Sequence, residues 1–375
     1  MTSTIRARAA LLEEISLVRG IIERAFKTED DVDLFDHIVA HDTPVVPEGI
    51  RVALAGETPV ACAVALQRDV MTPHGLVKGA VLTLVGCEPD YQGRGYGSAA
   101  VRDALTHATR LGRAMAILYG HPTYYPRFGF VPVMPRVATT LAVGSDRFES
   151  CAEVALHPMT DWDIPAVSAL YARTLGLYSC AVARPEEPWV WNYRRTSRCR
   201  TLVFGQVSGY ALVEPELDAP VLHVPEAAVD RPADAAGLLQ ALCDAAASGG
   251  FRKLKIGAPP GEPLVKEAIR QGASCEVLPP GGGMAVILDW EAVLPPGYRV
   301  AESGLARGDT IVLEADRGAL TGLVLGTQTA SELVASSQAR FPDQRPGAGH
   351  VEAEMLARDF PRDFPKWFTA PFWYG

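Results

Sequence analysis

One order of segments occurs twice in the chain and limits what it can fold into. An apolar run ending at Cys87 precedes a glycine-rich turn, a helix-like stretch and the short apolar run AMAILY. The run VLHVPE likewise precedes a polar turn, the helix-like ADAAGLLQALCDAAA and the run KLKIG. Such alternation is typical of α/β folds with mixed sheets. We expect two related α/β units in tandem; the alternative is that two unrelated α/β halves share this order.

The length of the chain requires more than one domain. Its 375 residues exceed the roughly 100 to 200 residues of an ordinary domain. Strand patterns in YRVAES, DTIVLEA and ALTGLVLG, followed by a helix capped at Thr329, predict a small α+β domain at the end. The predicted domains are residues 1–147, 148–292 and 293–375. The stretch PPGGG, residues 279–283, lacks the Lys-Ser/Thr of a P-loop and is predicted to be a turn.

Composition and charge narrow the functional class. Apolar residues make up 48% of the chain, but no apolar run approaches the roughly 18 residues of a membrane helix. The net charge of −9 disfavours nucleic acid as a partner and suits a cationic ligand. Seven scattered cysteines without a CxxC pair argue against disulfides and a zinc site. We expect a cytoplasmic protein without a metal, and the sequence is compatible with a homo-oligomer.

The stretch YQGRGYGSAA, which begins at Tyr91, joins the strand and helix of the first repeat. Backbone N–H groups at a helix start attract phosphate, and glycines let an anion approach them. GxGxxA is also a dinucleotide-binding pattern, but six residues separate Cys87 from Arg94 and no acid follows Asp103 before Asp146. A nicotinamide or flavin site is therefore disfavoured. A structural loop and a different phosphate site remain as alternatives.

Two motifs in this region resemble those of the GNAT superfamily of acyl-CoA-dependent N-acetyltransferases. QGRGYG, Gln92–Gly97, is similar to the pyrophosphate signature Q/R-x-x-G-x-G/A. YYPRFGFVPV, Tyr124–Val133, is similar to the segment that closes the active site in many of these enzymes. The resemblance implies a GNAT fold, acetyl-CoA as the acyl donor and direct transfer of the acetyl group to an amine.

The resemblance also implies which residues would hold the donor. The strand end would pair its backbone with the pantetheine amides, and the turn would cradle the pyrophosphate with its N–H groups. Cys87 is expected to be a small core residue and not a nucleophile. The implied residues are Val85, Gly86 and Cys87 in the strand and Gln92, Gly93, Arg94, Gly95, Tyr96, Gly97 and Ser98 in the turn.

Direct transfer needs a proton for the departing thiolate. A thiol pKa is about 8.5 and a tyrosine pKa about 10, close enough for a tyrosine to act as the acid. Tyr125, directly before PRFGF, occupies the position of the superfamily's acid tyrosine, and Tyr124 is the nearest alternative. The base is left open between His121, water and a group elsewhere in the chain.

The second repeat lacks a phosphate-binding turn. In Asp230–Asp234, DRPAD, Pro232 has no N–H and Asp234 places negative charge at the helix start. This unit is expected not to bind acyl-CoA. Its predicted role is to form a wall of the acceptor pocket.

The whole arrangement resembles the enhanced intracellular survival (Eis) family, with two GNAT-like units and a last domain similar to sterol carrier proteins. The resemblance implies acetylation of amines such as aminoglycosides. It also implies that the terminal carboxylate, here that of Gly375, enters the active site as base or anchor. An α-carboxyl with a pKa of about 3.5 is a poor base but a good anchor for a cation. The family's tail often ends in an aromatic residue, whereas this one ends in glycine after PFWY.

The acceptor is predicted to be a small or flexible cationic amine of the aminoglycoside or polyamine kind. Phe26, Asp30, Asp31 and Phe35 are predicted to form an acidic, aromatic mouth, and the alternative is a solvated loop. A protein-lysine acetyltransferase and a lipid-binding carrier with a vestigial transferase are the other functional hypotheses.

Overall fold

The structure is a computed structural model that describes residues 5–42, 45–144, 155–192, 199–216, 218–342 and 348–360. Its strands, numbered in chain order, are β1 Arg6–Ala9, β2 Ile50–Ala55, β3 Thr58–Thr72, β4 Gly75–Cys87, β5 Met115–Tyr119, β6 Val131–Ala142, β7 Leu156–Pro158, β8 Arg200–Phe204, β9 Gly209–Pro215, β10 Val221–Val229, β11 Lys253–Ile256, β12 Ser274–Ile287, β13 Tyr298–Ala301, β14 Gly304–Arg307, β15 Thr310–Ala315 and β16 Ala339–Arg340. Its α-helices are α1 Ile15–Phe26, α2 Glu29–His41, α3 Tyr96–Arg110, α4 Ile164–Arg173, α5 Pro188–Asn192, α6 Ala235–Ser248, α7 Pro263–Arg270, α8 Arg317–Val324, α9 Ala330–Ala335 and α10 Ala348–Asp359.

The described residues divide into two compact units. The first comprises residues 5–134 and 281–360, and the second comprises residues 135–280. The unit boundaries therefore fall inside β6 and β12. The predicted mixed α/β fold class is confirmed, while the predicted domain bounds at 147 and 292 stay predictions.

The first unit is built on a mixed sheet in the order β1-β2-β3-β4-β5-β12. Its strands are antiparallel except for the parallel pair β4 and β5. The helix α3 packs on this sheet through Ala100, Val101 and Ala104, which recur at helical spacing in the core. The strand–helix–strand unit of β4, α3 and β5 is thereby fixed, and it positions the candidate site.

The last strand of this sheet comes from a distant part of the sequence. β12 pairs with β5 from Gly283 opposite Tyr119 to Ile287 opposite Met115. The prediction of a turn at residues 279–283 is therefore wrong, because these residues lie within a strand. A Cβ on Gly282 would lie 2.5 Å from the ring of Tyr119, so the glycine makes room for an aromatic ring across the strands.

The C-terminal part of the first unit is a small α+β layer, with an antiparallel sheet in the order β13-β14-β15-β16 and the helices α8, α9 and α10. The predicted cap at Thr329 is confirmed, since its side chain accepts a hydrogen bond from the Glu332 N–H. The strand predicted for ALTGLVLG is wrong, because this segment lies mostly in α8. The carboxylate of Asp316 accepts a hydrogen bond from the Ala319 N–H at 2.8 Å and caps that helix.

The second unit has a sheet in the order β6-β11-β10-β9-β8-β7, again with one parallel pair, β10 and β11. This succession of neighbours is the same as in the first sheet. Its core joins α6 and α7 to β10 and β11 through residues such as Leu238, Leu264 and Leu254. Within the ranges that the structure describes, no helix has both the length and the hydrophobicity needed to cross a membrane.

Candidate active site

The strand β4 is bulged near its end. Thr83 pairs with Val64 and Gly86 with Cys62, so one residue of β3 faces two residues of β4 between these pairs. Leu84 lies at the bulge and has the left-handed φ of 48°. The parallel pairing of β4 with β5 covers only Gly79 to Val81. Past this point the two strands separate, and the backbone of β4 from residue 82 to 87 has no β5 partner among the described residues.

The predicted strand residues lie on this open stretch. Val85 and Cys87 pack against the core that contains α3. A Cβ on Gly86 would lie 3.4 Å from the Cβ of Ala25 and 3.5 Å from the ring of Phe26, so this residue faces the end of α1. An extended ligand with amide groups can add to a free strand edge of this kind.

The thiol of Cys87, at the end of β4, contacts the start of α3. Burial raises its pKa, and a hydrogen bond from the Gly97 N–H acts in the opposite direction. The net shift is upward, so the thiol stays protonated at neutral pH. This fits the predicted packing role and not a nucleophile, which needs a thiolate.

The glycine turn closes directly onto the end of β4. Gly93 and Gly95 have left-handed φ values of 73° and 93°, which explains why glycines stand there. The amide of Gln92 donates to the Cys87 carbonyl at 3.2 Å and fixes the turn against the strand. All the predicted loop residues, Gln92, Gly93, Arg94, Gly95, Tyr96, Gly97 and Ser98, are thereby brought together at the N-terminus of α3.

Backbone donors at this turn are available for an anion. The first donor with a partner inside the helix is the Ala99 N–H, which bonds to the Gly95 carbonyl at 2.9 Å. The N–H groups of Tyr96 and Ser98 precede it and lie at the positive end of the helix dipole. The Gly97 N–H is used by Cys87. The turn therefore supplies a cradle for a phosphate.

Three guanidinium groups of this region lie over aromatic rings. Arg94 lies over the ring of Tyr91 at 5.6 Å, Arg127 over Tyr124 at 4.6 Å, and Arg102 over Phe128 at 5.4 Å. None of the three arginines forms an ion pair within the described ranges. Unpaired positive charge beside free N–H groups favours a polyanion. Arg102 was not singled out in the sequence, although it lies one helical turn after Ser98.

The acid candidate lies at the end of β5. Tyr125 begins a short 3-10 helix, Tyr125–Phe128, and only 8% of its surface is exposed. Burial raises the pKa of Tyr125 to about 12, and the neighbouring Tyr124 adds to this rise. Its hydroxyl has no hydrogen-bond partner in the described part of the chain. The oxygen is not fully buried, so it contacts solvent. The hydroxyl is therefore protonated, and no hydrogen bond fixes its orientation.

The neighbouring tyrosine behaves differently. The hydroxyl of Tyr124 lies 3.2 Å from Ser98 Oγ, at the start of α3. His121, the predicted alternative base, is exposed in the turn that precedes the two tyrosines. The chemistry of the two tyrosines is thus distinguishable: one hydroxyl is hydrogen-bonded and the other is free.

The predicted acceptor residues are separated by the structure. Phe26 is half-buried at the end of α1, beside Gly86. Asp30 is exposed in the first turn of α2, whereas Phe35 is fully buried in the core and lines no open surface. Asp31 is half-buried in the same turn. Gly375 lies outside the described residues.

A pocket of about 520 Å³ opens between the two helices. Glu23, Glu29 and Asp33 contribute carboxylates to it, and Arg19 and Lys27 contribute cations. Its place beside the α1–α2 connection was expected for the acceptor, but Glu23, Glu29 and Asp33 were not singled out in the sequence. Across the described ranges, no group of three or more histidines, cysteines and acids is placed to hold a metal ion.

The free edge of β4, the glycine turn with its unpartnered N–H groups and the free hydroxyl of Tyr125 thus belong to neighbouring elements of one sheet and helix. Residues 6–133 match the sequence profile of the acetyltransferase (GNAT) domain. This part of the chain is a GNAT acetyltransferase domain. A stretch of 52 residues is 38% identical to the uncharacterized N-acetyltransferase YjhQ of Escherichia coli (strain K12); it covers 14% of the chain and 29% of that relative's length.

Solved structures share the fold over nearly the whole chain. A GCN5-related N-acetyltransferase from Anabaena variabilis has a TM-score of 0.75 at 15% identity, with 97% of this chain and 99% of that chain covered. Eis1 from Mycobacterium abscessus has a TM-score of 0.68 at 18% identity, with 96% and 97% covered. At such identities the likeness establishes the fold and leaves the acceptor open.

Proposed function

We propose that the protein is an acetyl-CoA-dependent N-acetyltransferase that acts on a primary amine of a small or flexible cationic acceptor. The observation that carries this proposal is the position of the glycine turn, directly beside the unpaired edge of β4 and with Tyr125 at the end of β5. A donor with a pyrophosphate and two amides matches both features. Acetyl-CoA supplies the acetyl group as a thioester.

The residues of the cleft fit that donor. The N–H groups of Tyr96 and Ser98, with the charge of Arg94, would hold the pyrophosphate. The backbone of β4 beyond Leu84, at Val85, Gly86 and Cys87, would pair with the pantetheine amides. A Cβ on Gly93 would meet no neighbouring atom within 4 Å, so the turn is open on this side to an approaching anion.

The transfer moves protons on the nitrogen, the sulfur and the tyrosine. The ammonium first loses a proton, to water or to the carboxylate of Gly375, and the latter stays a prediction. The neutral amine nitrogen then forms a bond to the carbonyl carbon as the C–S bond breaks, and the nitrogen loses its second proton to water. The departing sulfur takes up a proton that we assign to Tyr125, whose hydroxyl is protonated and free, and the tyrosine recovers a proton from water.

The charges near α1 and α2 support this acceptor class. The pocket there is lined by three carboxylates and two cations, and Asp30 is exposed next to it. Carboxylates held near solvent favour an acceptor with several amines, because each can pair with one cation. Phe26, at the end of α1, adds an apolar surface beside Gly86 of β4. Polyamines and aminoglycosides have this chemistry.

We further propose that the second unit is a GNAT-like repeat that does not bind a donor. β10 is irregular between His223 and Glu226, and its parallel pairing with β11 ends at Val224. The space beyond this point holds a buried ion pair of Arg184 and Glu226. The following turn carries Pro232 and an Arg231–Asp234 ion pair, with no glycine cradle. A sterol-carrier-like role of the C-terminal layer stays a prediction.

The decisive experiment combines binding and turnover. Acetyl-CoA is titrated into the protein by calorimetry, and CoA release is then followed with spermidine, an aminoglycoside and a lysine peptide as acceptors. We expect binding, and faster release with the polycations than with the peptide. Failure of acetyl-CoA to bind would refute the proposal, and preference for the peptide would favour the protein-lysine hypothesis.

A further inference from the structure

We infer that Tyr124 is a positioning residue that connects the glycine turn to the acid tyrosine, Tyr125. This inference rests on the proposed function, because it takes the turn as the donor site and Tyr125 as the acid. Tyr124 itself is not given the acid role.

The first part of the connection is a hydrogen bond. The Tyr124 hydroxyl lies 3.2 Å from Ser98 Oγ, and Ser98 is the third residue of α3. A Cβ on Gly97 would lie 3.3 Å from the same hydroxyl, tighter than most contacts of this kind. A side chain at position 97 would therefore press on the tyrosine hydroxyl, and the glycine leaves room for it.

The second part is aromatic packing. The rings of Tyr124 and Tyr125 meet edge to face, with centroids 5.1 Å apart and planes at 88°. Phe128 lies 5.4 Å from Tyr124 on another side, and the guanidinium of Arg127 lies over the ring at 4.6 Å. Contacts of this geometry favour one relative orientation of the rings. The position of the Tyr124 ring therefore restricts the orientation of the Tyr125 ring.

Tyr125 needs such support because no hydrogen bond orients it. Its hydroxyl has no partner in the described ranges, so its direction depends on the surfaces around the ring: Gly120, Tyr124 and Phe130. A donor bound at Ser98 would thus contact the same helix turn to which the Tyr124 hydroxyl is hydrogen-bonded. Loss of the Tyr124–Ser98 bond would leave the turn intact but let the acid tyrosine move relative to the donor.

A double-mutant cycle tests this connection. Tyr124→Phe and Ser98→Ala should each lower kcat by about threefold to tenfold, the range of one net hydrogen bond. The double variant should be no slower than the slower single variant, because both changes remove the same bond. Ser98→Thr, which keeps the hydroxyl, should retain most of kcat. Thr106→Ala on the same helix removes a hydroxyl that bonds only to the Arg102 carbonyl and should change nothing.

Two further measurements separate positioning from donor binding. The acetyl-CoA Kd should rise by less than about threefold in both single variants, because the backbone N–H groups remain. Fluorotyrosine at position 125 should give one sharp ¹⁹F resonance in the ligand-free protein and a broadened or split one with Tyr124→Phe.

The outcomes distinguish this inference from the proposed function. A wild-type protein that neither binds acetyl-CoA nor releases CoA would refute the function. Active wild type with additive effects of the two substitutions, or with an unchanged fluorine resonance, would refute the positioning role. Loss confined to Kd would assign both residues to donor binding alone and overturn the inference as well.

Discussion

The ring of Tyr125 lies directly on the backbone of Gly120. A Cβ at position 120 would stand 2.2 Å from Cε2 of that ring and 2.9 Å from Cδ2, distances at which one group must move. Gly120 immediately follows β5, so the end of this strand sets the place of the acid tyrosine. The relationship makes a glycine outside both recognised motifs important for the site.

Gly120→Ala should therefore displace the Tyr125 ring. We expect kcat to fall by at least about tenfold, and the free energy of unfolding to fall by about 1–3 kcal/mol, as for other overpacked sites. Gly144→Ala is the control, since its Cβ would meet no neighbour within 4 Å. Steady-state kinetics and urea denaturation measure both effects. A Gly120→Ala protein with unchanged kcat would show that the ring position does not matter for turnover.

Tyr125→Phe should lower kcat by about a hundredfold, the lower end of general acid catalysis, and leave the acetyl-CoA Kd unchanged. Burial raises the pKa of Tyr125 to about 12, so the hydroxyl keeps its proton at all lower pH values. The wild-type rate should accordingly rise with pH as the acceptor amine loses its proton, with no fall from Tyr125 below about pH 11. A falling limb near pH 8 or 9 that Tyr125→Phe removes would contradict this pKa.

The parts of the site that depend on local geometry could be predicted from the sequence. Glycines in a turn at a helix start favour left-handed backbone conformations, and Gly93 and Gly95 adopt them. The cap at Thr329 is local in the same way. Such features need only a few neighbouring residues to be correct.

The parts that depend on distant contacts could not. β12 pairs with β5 although the two strands are about 160 residues apart in the sequence. No local sequence feature near residues 279–283 indicates that a strand continues through three glycines. Phe35 looked like a residue of an acceptor mouth because acids surround it. Its helical spacing instead places it in the core with Val32 and Ile38.

Conformation, and not only charge, should control donor binding at the turn. Gly93→Ala forces an L side chain into a φ of 73°, which costs about 1–2 kcal/mol, and should raise the acetyl-CoA Kd about tenfold. Gly112, with a φ of 65° at the other end of α3, carries the same strain in open space. Gly112→Ala should lose similar stability without any change in Kd. Equal Kd values for the two variants would argue against a donor at the turn.

Arg94 should contribute charge to donor binding. Arg94→Gln should raise the acetyl-CoA Kd about fivefold to tenfold at low salt and less at high salt, because screening weakens exposed charges. Arg110→Gln removes the same charge from the last turn of α3 and is the matched control. Calorimetry at two ionic strengths provides the comparison. Equal, salt-independent effects of the two substitutions would exclude a direct phosphate contact by Arg94.

The second unit allows a test of stability that involves no donor. Arg184 donates two hydrogen bonds of 2.7 Å to the carboxylate of Glu226, and the Tyr210 hydroxyl donates a third, also of 2.7 Å. The two charged side chains are 0% and 2% exposed. Arg184→Met leaves the carboxylate buried without its counter-charge, which should cost about 3–5 kcal/mol of unfolding free energy.

That loss should depend on pH in a definite direction. In Arg184→Met the buried carboxylate of Glu226 loses the guanidinium that pairs with it, which favours its protonated form. Protonation then relieves the buried charge, so the deficit relative to wild type should be smaller near pH 5 than near pH 8. Glu226→Gln added to Arg184→Met should restore part of the stability and remove this pH dependence. Urea denaturation of the three variants at both pH values measures this, and a deficit that is the same at both would mean that Glu226 stays ionised without Arg184.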